Sequence, residues 1–392
     1  MMKRYLYLLS AGHLCTDLSG GALPALLPFL VLYYDLDYAA VGGLMFASSF
    51  LSSVIQPIFG YLADKLSQSW FLVAGVFLSG ACFALTGFVS DYWAIFTVVT
   101  LMGVGGSMFH PEAARLVHAV SGRNEGKAMG IFSVGGNGGF GIGPLLVVGA
   151  VTSFGMPGMV VFAVIAVMMS LLLIRALPSL RRAVQDVSPA TQPRETVRDG
   201  AIAGKNDWRQ FSKLTIVIIF RAIAVSSLFS FLPLFCIHIL GASEAAGSLV
   251  LSVLSFSGIV MTLWGGSLAD RYGCVWTLRL CCILFVPLMI FITISTQIWM
   301  VYALLLPLSF CVSGAYSAYV VLGQRYLARS IGFASGVTMG LAFSIGGMLV
   351  PVLGWVADMY GLLAAMEVIT ACTIGAAACS FVLPEPEIHE TA

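Results

Sequence analysis

Between Ala128 and Ile174 the chain carries no Asp, Glu, Lys or Arg, and a second charge-free run extends from Leu280 to Gln324. Each run is roughly twice the ~20 apolar residues that take a helix across a bilayer. Each is also interrupted near its middle, by Gly155-Met156-Pro157-Gly158 in the first and Ser295-Thr296-Gln297 in the second. Each therefore reads as two transmembrane helices joined by a short turn. A β-barrel is excluded, because the apolar residues are continuous rather than alternating. Charged residues make up 9% of the 392-residue chain and hydrophobic residues 59%, with a mean hydropathy of +0.98. A soluble domain carries about 25% charged residues, so this chain has too little polar surface to cover itself in water.

The same criterion, applied along the chain, gives candidate spans at about 5–34, 38–63, 70–90, 92–118, 126–153, 157–176, 212–240, 244–269, 275–294, 298–324, 331–357 and 362–383. The fold class is an all-α polytopic membrane protein with twelve transmembrane helices in two six-helix, pseudo-symmetric halves. The stretch after span six differs in composition. It carries Arg181, Arg182, Arg194, Arg198 and Lys205 with Pro189 and Pro193, as expected of a linker with at most a short surface helix. The expected organisation is an N-terminal bundle (1–177), a linker (178–211) and a C-terminal bundle (212–392). Of the 19 Lys and Arg, all but Arg115 and Arg221 fall at the N-terminus, after spans two, four, eight and ten, or in and beside the linker. Positive charge stays on the cytoplasmic side, which places both termini and the linker inside. No cleavable signal peptide is expected, since the first apolar segment is too long for one and contains Asp17. The nine cysteines lack metal-ligand spacing and read as small apolar fillers.

An internal repeat supports the division into halves. Gly60-Tyr61-Leu62-Ala63-Asp64-Lys65 recurs as Gly266-Ser267-Leu268-Ala269-Asp270-Arg271, an offset of 206 residues that also relates Gly126 to Gly332, Gly130 to Gly336 and Gly155 to Gly361. Parallel six-helix repeats are one of the known transporter constructions. In each hexapeptide the glycine allows a close helix approach. The aspartate can accept from a neighbouring helix N-terminus, and the cation marks the inner surface. The two copies are expected to form a latch that opens and closes during a cycle. In span five Gly135, Gly139 and Gly143, followed by Pro144, share one helix face, which suits either close packing or sliding of a partner helix.

Ionisable side chains inside the spans are costly to keep there and commonly carry function. Span one holds His13 and Asp17, one turn apart. Span four holds His110, Glu112 and Arg115 around Pro111. Glu112 and Arg115 share a face and can pair, either as a snorkelling surface pair or as a charged pair facing a cavity. Span seven holds Arg221 with no acid within a turn on its own face, so it pairs across helices, snorkels or binds an anion. Its planar fork suits phosphate and phosphonate oxygens. Counted from the cytoplasmic ends, all these groups fall in the inner half or near the middle of their spans.

The string Phe109-His110-Pro111-Glu112, then Ser121-Gly122-Arg123, Gly135-Gly136-Asn137-Gly138 and Gly143-Pro144, together with Gly12-His13, Asp17 and Ser53-Val54-Ile55-Gln56-Pro57, resembles the fosmidomycin resistance group of the major facilitator superfamily. The resemblance covers the whole chain. It implies a bacterial inner-membrane efflux transporter that exchanges drug for protons, with spans one, four, seven and ten lining a central cavity. Two positions depart from the group: Arg325 follows Gln324 where an acid is usual, and Arg221 stands where a lysine can occur.

These observations lead to a secondary active transporter, a proton-coupled antiporter exporting a small, anionic or drug-like compound by alternating access. Asp17 and Glu112 are the expected proton carriers, assisted by His13 and His110. Arg221 and Arg115, with Asp17 and Glu112, are the expected substrate contacts. Gly60, Asp64, Lys65, Gly266, Asp270, Arg271, Gly139, Gly143 and Pro144 are the expected gating elements. Uptake by symport or facilitation is the alternative. No nucleotide loop, metal cluster or triad spacing suggests an enzyme, and no cofactor, metal or nucleic acid is expected. The expected partners are a small-molecule substrate, protons and the lipid bilayer, with the protein acting as a monomer.

Overall fold

A computed structural model describes residues 2–34, 38–66, 69–122, 124–187 and 205–386. Among these residues there is no strand. Over these described residues the chain forms twelve long helical segments, with a short 3-10 turn at Met156–Met159 leading into the sixth, as its apolar pattern requires. They are α1 (Met2–Tyr34), α2 (Tyr38–Leu66), α3 (Trp70–Leu85), α4 (Tyr92–Ser121), α5 (Glu125–Phe154), α6 (Val160–Val187), α7 (Trp208–His238), α8 (Glu244–Tyr272), α9 (Cys274–Thr293), α10 (Ile298–Tyr326), α11 (Ile331–Tyr360) and α12 (Leu362–Ser380). Among the described residues, nine helices meet both length and hydropathy requirements for a membrane span, and α3 is a shorter apolar helix.

Several helix ends follow directly from local chemistry. Asp91 accepts a hydrogen bond from the Ala94 N–H (2.9 Å) and starts α4, while Asp207 accepts from the Gln210 N–H (3.0 Å) and starts α7. The repeat-related Gly155 and Gly361 both adopt positive φ, +65° and +92°, at the turns that enter α6 and α12. That backbone is open to glycine at little steric cost.

Two features differ from the expected pattern. Helix α6 runs through Pro178 to Val187, so the first part of the expected 178–211 linker continues the helix. Residues 188–204, which include Pro189, Pro193, Arg194 and Arg198, lie outside the described residues. Helices α10 and α11 each contain a π turn, over Phe310–Gly314 and Val337–Leu341. An apolar run carries no periodic signal for such a turn.

The chain forms two compact units. The first comprises Met1–Arg123, Ile131–Asn206 and Ala328–Gly340. Within it α4 packs against α2 and α3, α3 also packs on α6, and the first turns of α11 pack on α2 and α4. Leu18, Leu23, Leu26, Phe83, Ile95, Val99 and Phe162 form its apolar core, where the Phe83 and Phe162 rings meet edge-on at 4.8 Å. The glycine face of α5 lies directly on α1. A Cβ at Gly139 would come within 2.6 Å of the Leu14 carbonyl oxygen, and one at Gly143 within 2.8 Å of the Ala22 nitrogen. Pro144 follows within the same helix.

The second unit comprises Asn124–Gly130, Asp207–Leu327 and Leu341–Ala392. Within it α7 packs on α8, α12 and the second part of α11, and α9 packs on α12 and α10. The division does not fall at the linker alone: the first turn of α5 belongs to the second unit and the first turns of α11 to the first.

Candidate functional site: a carboxylate between two imidazoles

In the first unit, α1 turns His13 and Asp17 toward α4, which contributes His110. His13 Nε2 lies 3.1 Å from Asp17 Oδ2, and His110 Nε2 lies 2.9 Å from Asp17 Oδ1. The other nitrogen of His13, Nδ1, lies 2.8 Å from the carbonyl oxygen of Phe132 on α5. The His13 ring also stacks on the Phe132 ring, with centroids 4.1 Å apart. His13 and Asp17 are 4% and 8% exposed, and the His110 side chain is partly exposed at 19%, so the His13–Asp17 contact is buried and His110 faces its wetter side.

Counting hydrogens defines what this arrangement can do. A carbonyl oxygen only accepts, so His13 Nδ1 must carry a hydrogen and donate it to Phe132. In a neutral His13 the Nε2 is then bare. It faces Asp17 Oδ2, which is also bare when the carboxyl is ionised. One further proton is needed for that contact to be a hydrogen bond, on either partner. His110 needs no extra proton, because its neutral ring can donate Nε2–H to Oδ1. With one labile proton the trio is neutral and fully bonded; without it two lone pairs face each other in a dry setting. The three ligand atoms lie within 4.8 Å of one another, near enough for a metal ion, which would compete with the labile proton for the same lone pairs.

Spacing in the sequence indicated the His13–Asp17 pair, but not the bond from His110 to Asp17, which spans 93 positions. In the sequence Gly136 stands only as part of the string Gly135-Gly136-Asn137-Gly138. A Cβ there would meet His13 Nε2 at 2.6 Å and Asp17 Oδ2 at 2.8 Å, so α5 closes over the His13–Asp17 contact at a glycine, where a side chain would not fit. Ser79 of α3 donates to the carbonyl oxygen of Thr16 (3.0 Å), tying α3 to the same turn of α1.

Glu112 lies two residues from His110 but on another face. Arg115 grips it with two parallel hydrogen bonds, Nε to Oε2 and Nη2 to Oε1, both 2.8 Å. Glu112 is 0% exposed, so the pair is a buried fork rather than a snorkelling surface pair.

The aspartates of the repeated hexapeptides act alike. Asp64 accepts from the N–H groups of Gly332 and Phe333 at 2.7 and 2.9 Å, within the first unit. Asp270 accepts from those of Gly126 and Lys127 at 2.7 and 2.8 Å, within the second. Each carboxylate thus caps the helix start related by the same 206-residue offset to the one its counterpart caps. Gly60 and Gly266 lie against the backbones of Gly332 and Gly126, where a Cβ would not fit. The neighbouring cations cover rings on their own helices, Lys65 over Tyr61 and Arg271 over Tyr272.

In the second unit Arg221 is 7% exposed. Its Nη2 donates to the carbonyl oxygens of Cys311 (3.0 Å) and Val312, both in the π turn of α10. The guanidinium lies 5.4 Å from the Tyr319 ring centroid. Its Nε is buried without a hydrogen-bond partner, and no carboxylate pairs with it among the described residues. A π turn leaves a carbonyl outside the helical ladder, which gives the arginine a hold without cancelling its charge. Arg325, standing where the resemblance leads one to expect an acid, bonds Glu125 Oε2 at 2.9 Å and approaches Glu385 at 3.9 Å. Glu385 in turn accepts from the Cys274 and Val275 N–H groups, both at 2.8 Å, capping α9.

Residues 9–351 match the sequence profile of the Major Facilitator Superfamily. The chain belongs to this superfamily. Major facilitators are membrane transporters rather than enzymes, so this is a multi-pass transport protein. It is 28% identical over 355 residues to the fosmidomycin resistance protein of Escherichia coli (strain K12), covering 89% of this chain and 85% of that one. It is 27% identical over 268 residues to the multidrug resistance protein MdtG of Escherichia coli (strain 55989), covering 65% and 64%. Among solved major facilitators, FucP superimposes with a TM-score of 0.75 at 16% identity, covering 97% of this chain and 98% of that one. The human organic anion transporter MFSD10 does so at 0.74 and 16%, covering 98% and 99%. At these identities the structures share the fold alone.

Proposed function

We propose that the protein is a proton-coupled antiporter that exports a small anionic, drug-like compound by alternating access. The observation that carries the proposal is the trio of His13, Asp17 and His110, whose bonding requires one labile proton in a buried setting. Proton relays in transporters are built from such Asp and His groups. Asp17 carries the proton, with His13 and His110 holding it in place. Glu112, held by Arg115, is the second acid of the set and gates rather than stores charge. Arg221, a buried cation without an acid, takes the anion. The names of the fosmidomycin and MdtG relatives favour export of inhibitory compounds.

The remaining roles follow the same scheme. Asp64 and Asp270 with Gly60, Gly266, Lys65 and Arg271 form paired latches. The glycine face of Gly139 and Gly143, ending at Pro144, lets α5 move along α1. The protein works as a monomer in the inner membrane with both termini cytoplasmic, its two six-helix bundles joined by a linker between α6 and α7.

Uptake by symport or facilitation is the second reading, since the fold serves transport in either direction. Proteoliposomes under opposed pH gradients separate the two. Export by exchange predicts proton entry as substrate leaves. Movement of both in the same direction, or substrate flux without any proton flux, would sink the antiport reading.

A further inference from the structure

On the outer face of the first unit, α3 and α6 enclose a groove of about 350 Å³ lined by Trp70, Val73, Ala74, Phe77, Val167, Ser170, Leu171 and Ile174. Its shape follows from side-chain size. Ala74 and Ser170 are small, while Trp70, Phe77, Leu171 and Ile174 are large and exposed along the rim. The one hydroxyl in the lining, on Ser170, is turned back to the Val73 carbonyl oxygen at 3.4 Å, leaving an apolar surface. From Trp70 to Phe77, and from Val167 to Ile174, each wall is about 10 Å long at the helical rise. That fits inside one leaflet of a hydrocarbon core about 30 Å thick.

The two ends of the groove differ. The helices run antiparallel, so Trp70 and Ile174 share one end, and a tryptophan at a helix start is a marker of the headgroup level. Arg175 follows Ile174 and stands one turn after Leu171, on the same side of α6. It is exposed, as are Arg181 and Arg182 in the turns beyond. No carboxylate pairs with Arg175 among the described residues, and the nearest sequence acid on α6 is Asp186.

We infer that this groove is a binding site for an anionic phospholipid, with one acyl chain between α3 and α6 and the phosphate at Arg175. Basic positions beside clefts between membrane helices recognise anionic headgroups in this way. The groove supplies the fit to the chain and Arg175 the preference for charge. The site is separate from the proton trio and from Arg221, and does not depend on the transport reading.

The test uses the full-length protein, delipidated in detergent and titrated with dioleoylphosphatidylglycerol or dioleoylphosphatidylcholine. Bound lipid is counted by native mass spectrometry. In the wild type the phosphatidylglycerol adduct should predominate. Arg175→Gln should lower its occupancy roughly fivefold, the weight of one surface cation, and leave phosphatidylcholine unchanged. Ala74→Phe should fill the groove and lower both. Val167→Trp does the same from the opposite wall, should Ala74→Phe not fold. Equal occupancy of the two lipids in the wild type would overturn the headgroup assignment. Undiminished adducts in the groove-filling variants would overturn the site itself.

Discussion

His110 Nε2 lies 2.9 Å from Asp17 Oδ1, joining α4 to α1 through a carboxylate that His13 holds from the other side at 3.1 Å. The bond makes the charge state of Asp17 a property of two helices at once. Gain or loss of a proton there changes the attraction between α1 and α4 as well as the local charge.

Asp17→Asn is expected to abolish coupling while leaving a folded protein. An amide can donate to His13 Nε2 and accept from His110, so the contacts survive without an exchangeable charge. Substrate-driven proton movement, read with a pH-sensitive dye in proteoliposomes, should fall by at least about tenfold, since a removed proton site leaves no pathway. Unchanged proton movement in this variant would remove the trio from the mechanism.

Glu112→Gln should act differently, through stability. It breaks the fork between the buried Glu112 and a mostly buried Arg115, and leaves the guanidinium only the more distant Asp64. Loss of one partner of a buried pair costs about 3–5 kcal/mol. Thermal unfolding in detergent should therefore show a large drop for Glu112→Gln and a small one for Asp17→Asn. A double change of Glu112→Gln with Arg115→Met should recover part of the loss, because both charges then leave together.

Gly136→Ala places a methyl group where His13 Nε2 and Asp17 Oδ2 lie at 2.6 and 2.8 Å. The trio must open or α5 must shift. The expected result is a weakened His13–Asp17 contact, seen as a changed pH profile of transport. Gly138→Ala, whose Cβ would meet only Leu14 Cδ1 at 3.4 Å, is the matched control and should keep the wild-type profile.

Arg221→Lys is not conservative here. One nitrogen, Nη2, is taken by the Cys311 and Val312 carbonyls, and a lysine, a single point donor, would have no further planar N–H group left for an anion. The affinity for an anionic substrate should fall about tenfold, or 1.4 kcal/mol, in Arg221→Lys and further in Arg221→Gln. Neutral substrates, measured by the same binding titration, should be unaffected.

The two latch aspartates offer a symmetry test. Asp64 and Asp270 each accept two backbone N–H bonds at a helix start. Asp64→Asn and Asp270→Asn should each cost about 1–2 kcal/mol through the lost charge at a helix N-terminus. Transport rates of the two variants should fall by similar factors. A severe loss in one with none in the other would show that the repeat is equivalent in sequence but not in function.

The amino-acid sequence by itself determined that the chain is a membrane helix bundle, where most helices begin and end, and that its halves repeat. These are local properties: apolar length, capping residues and a recurrent hexapeptide are each contained within a few turns. It also marked His13, Asp17, His110, Glu112, Arg115 and Arg221, because an ionisable group among apolar neighbours stands out wherever the chain leads. Only the tertiary structure decided their partners. Glu112 and Arg115 met by helical spacing, but His110 reached Asp17, His13 reached the Phe132 carbonyl and Arg221 reached the Cys311 and Val312 carbonyls across helices far apart in the chain. The π turn that frees those carbonyls, and the bare Gly136 over the trio, leave no periodic trace in the sequence. They depend on how closely helix backbones approach one another, which packing sets and a linear pattern of residues does not contain.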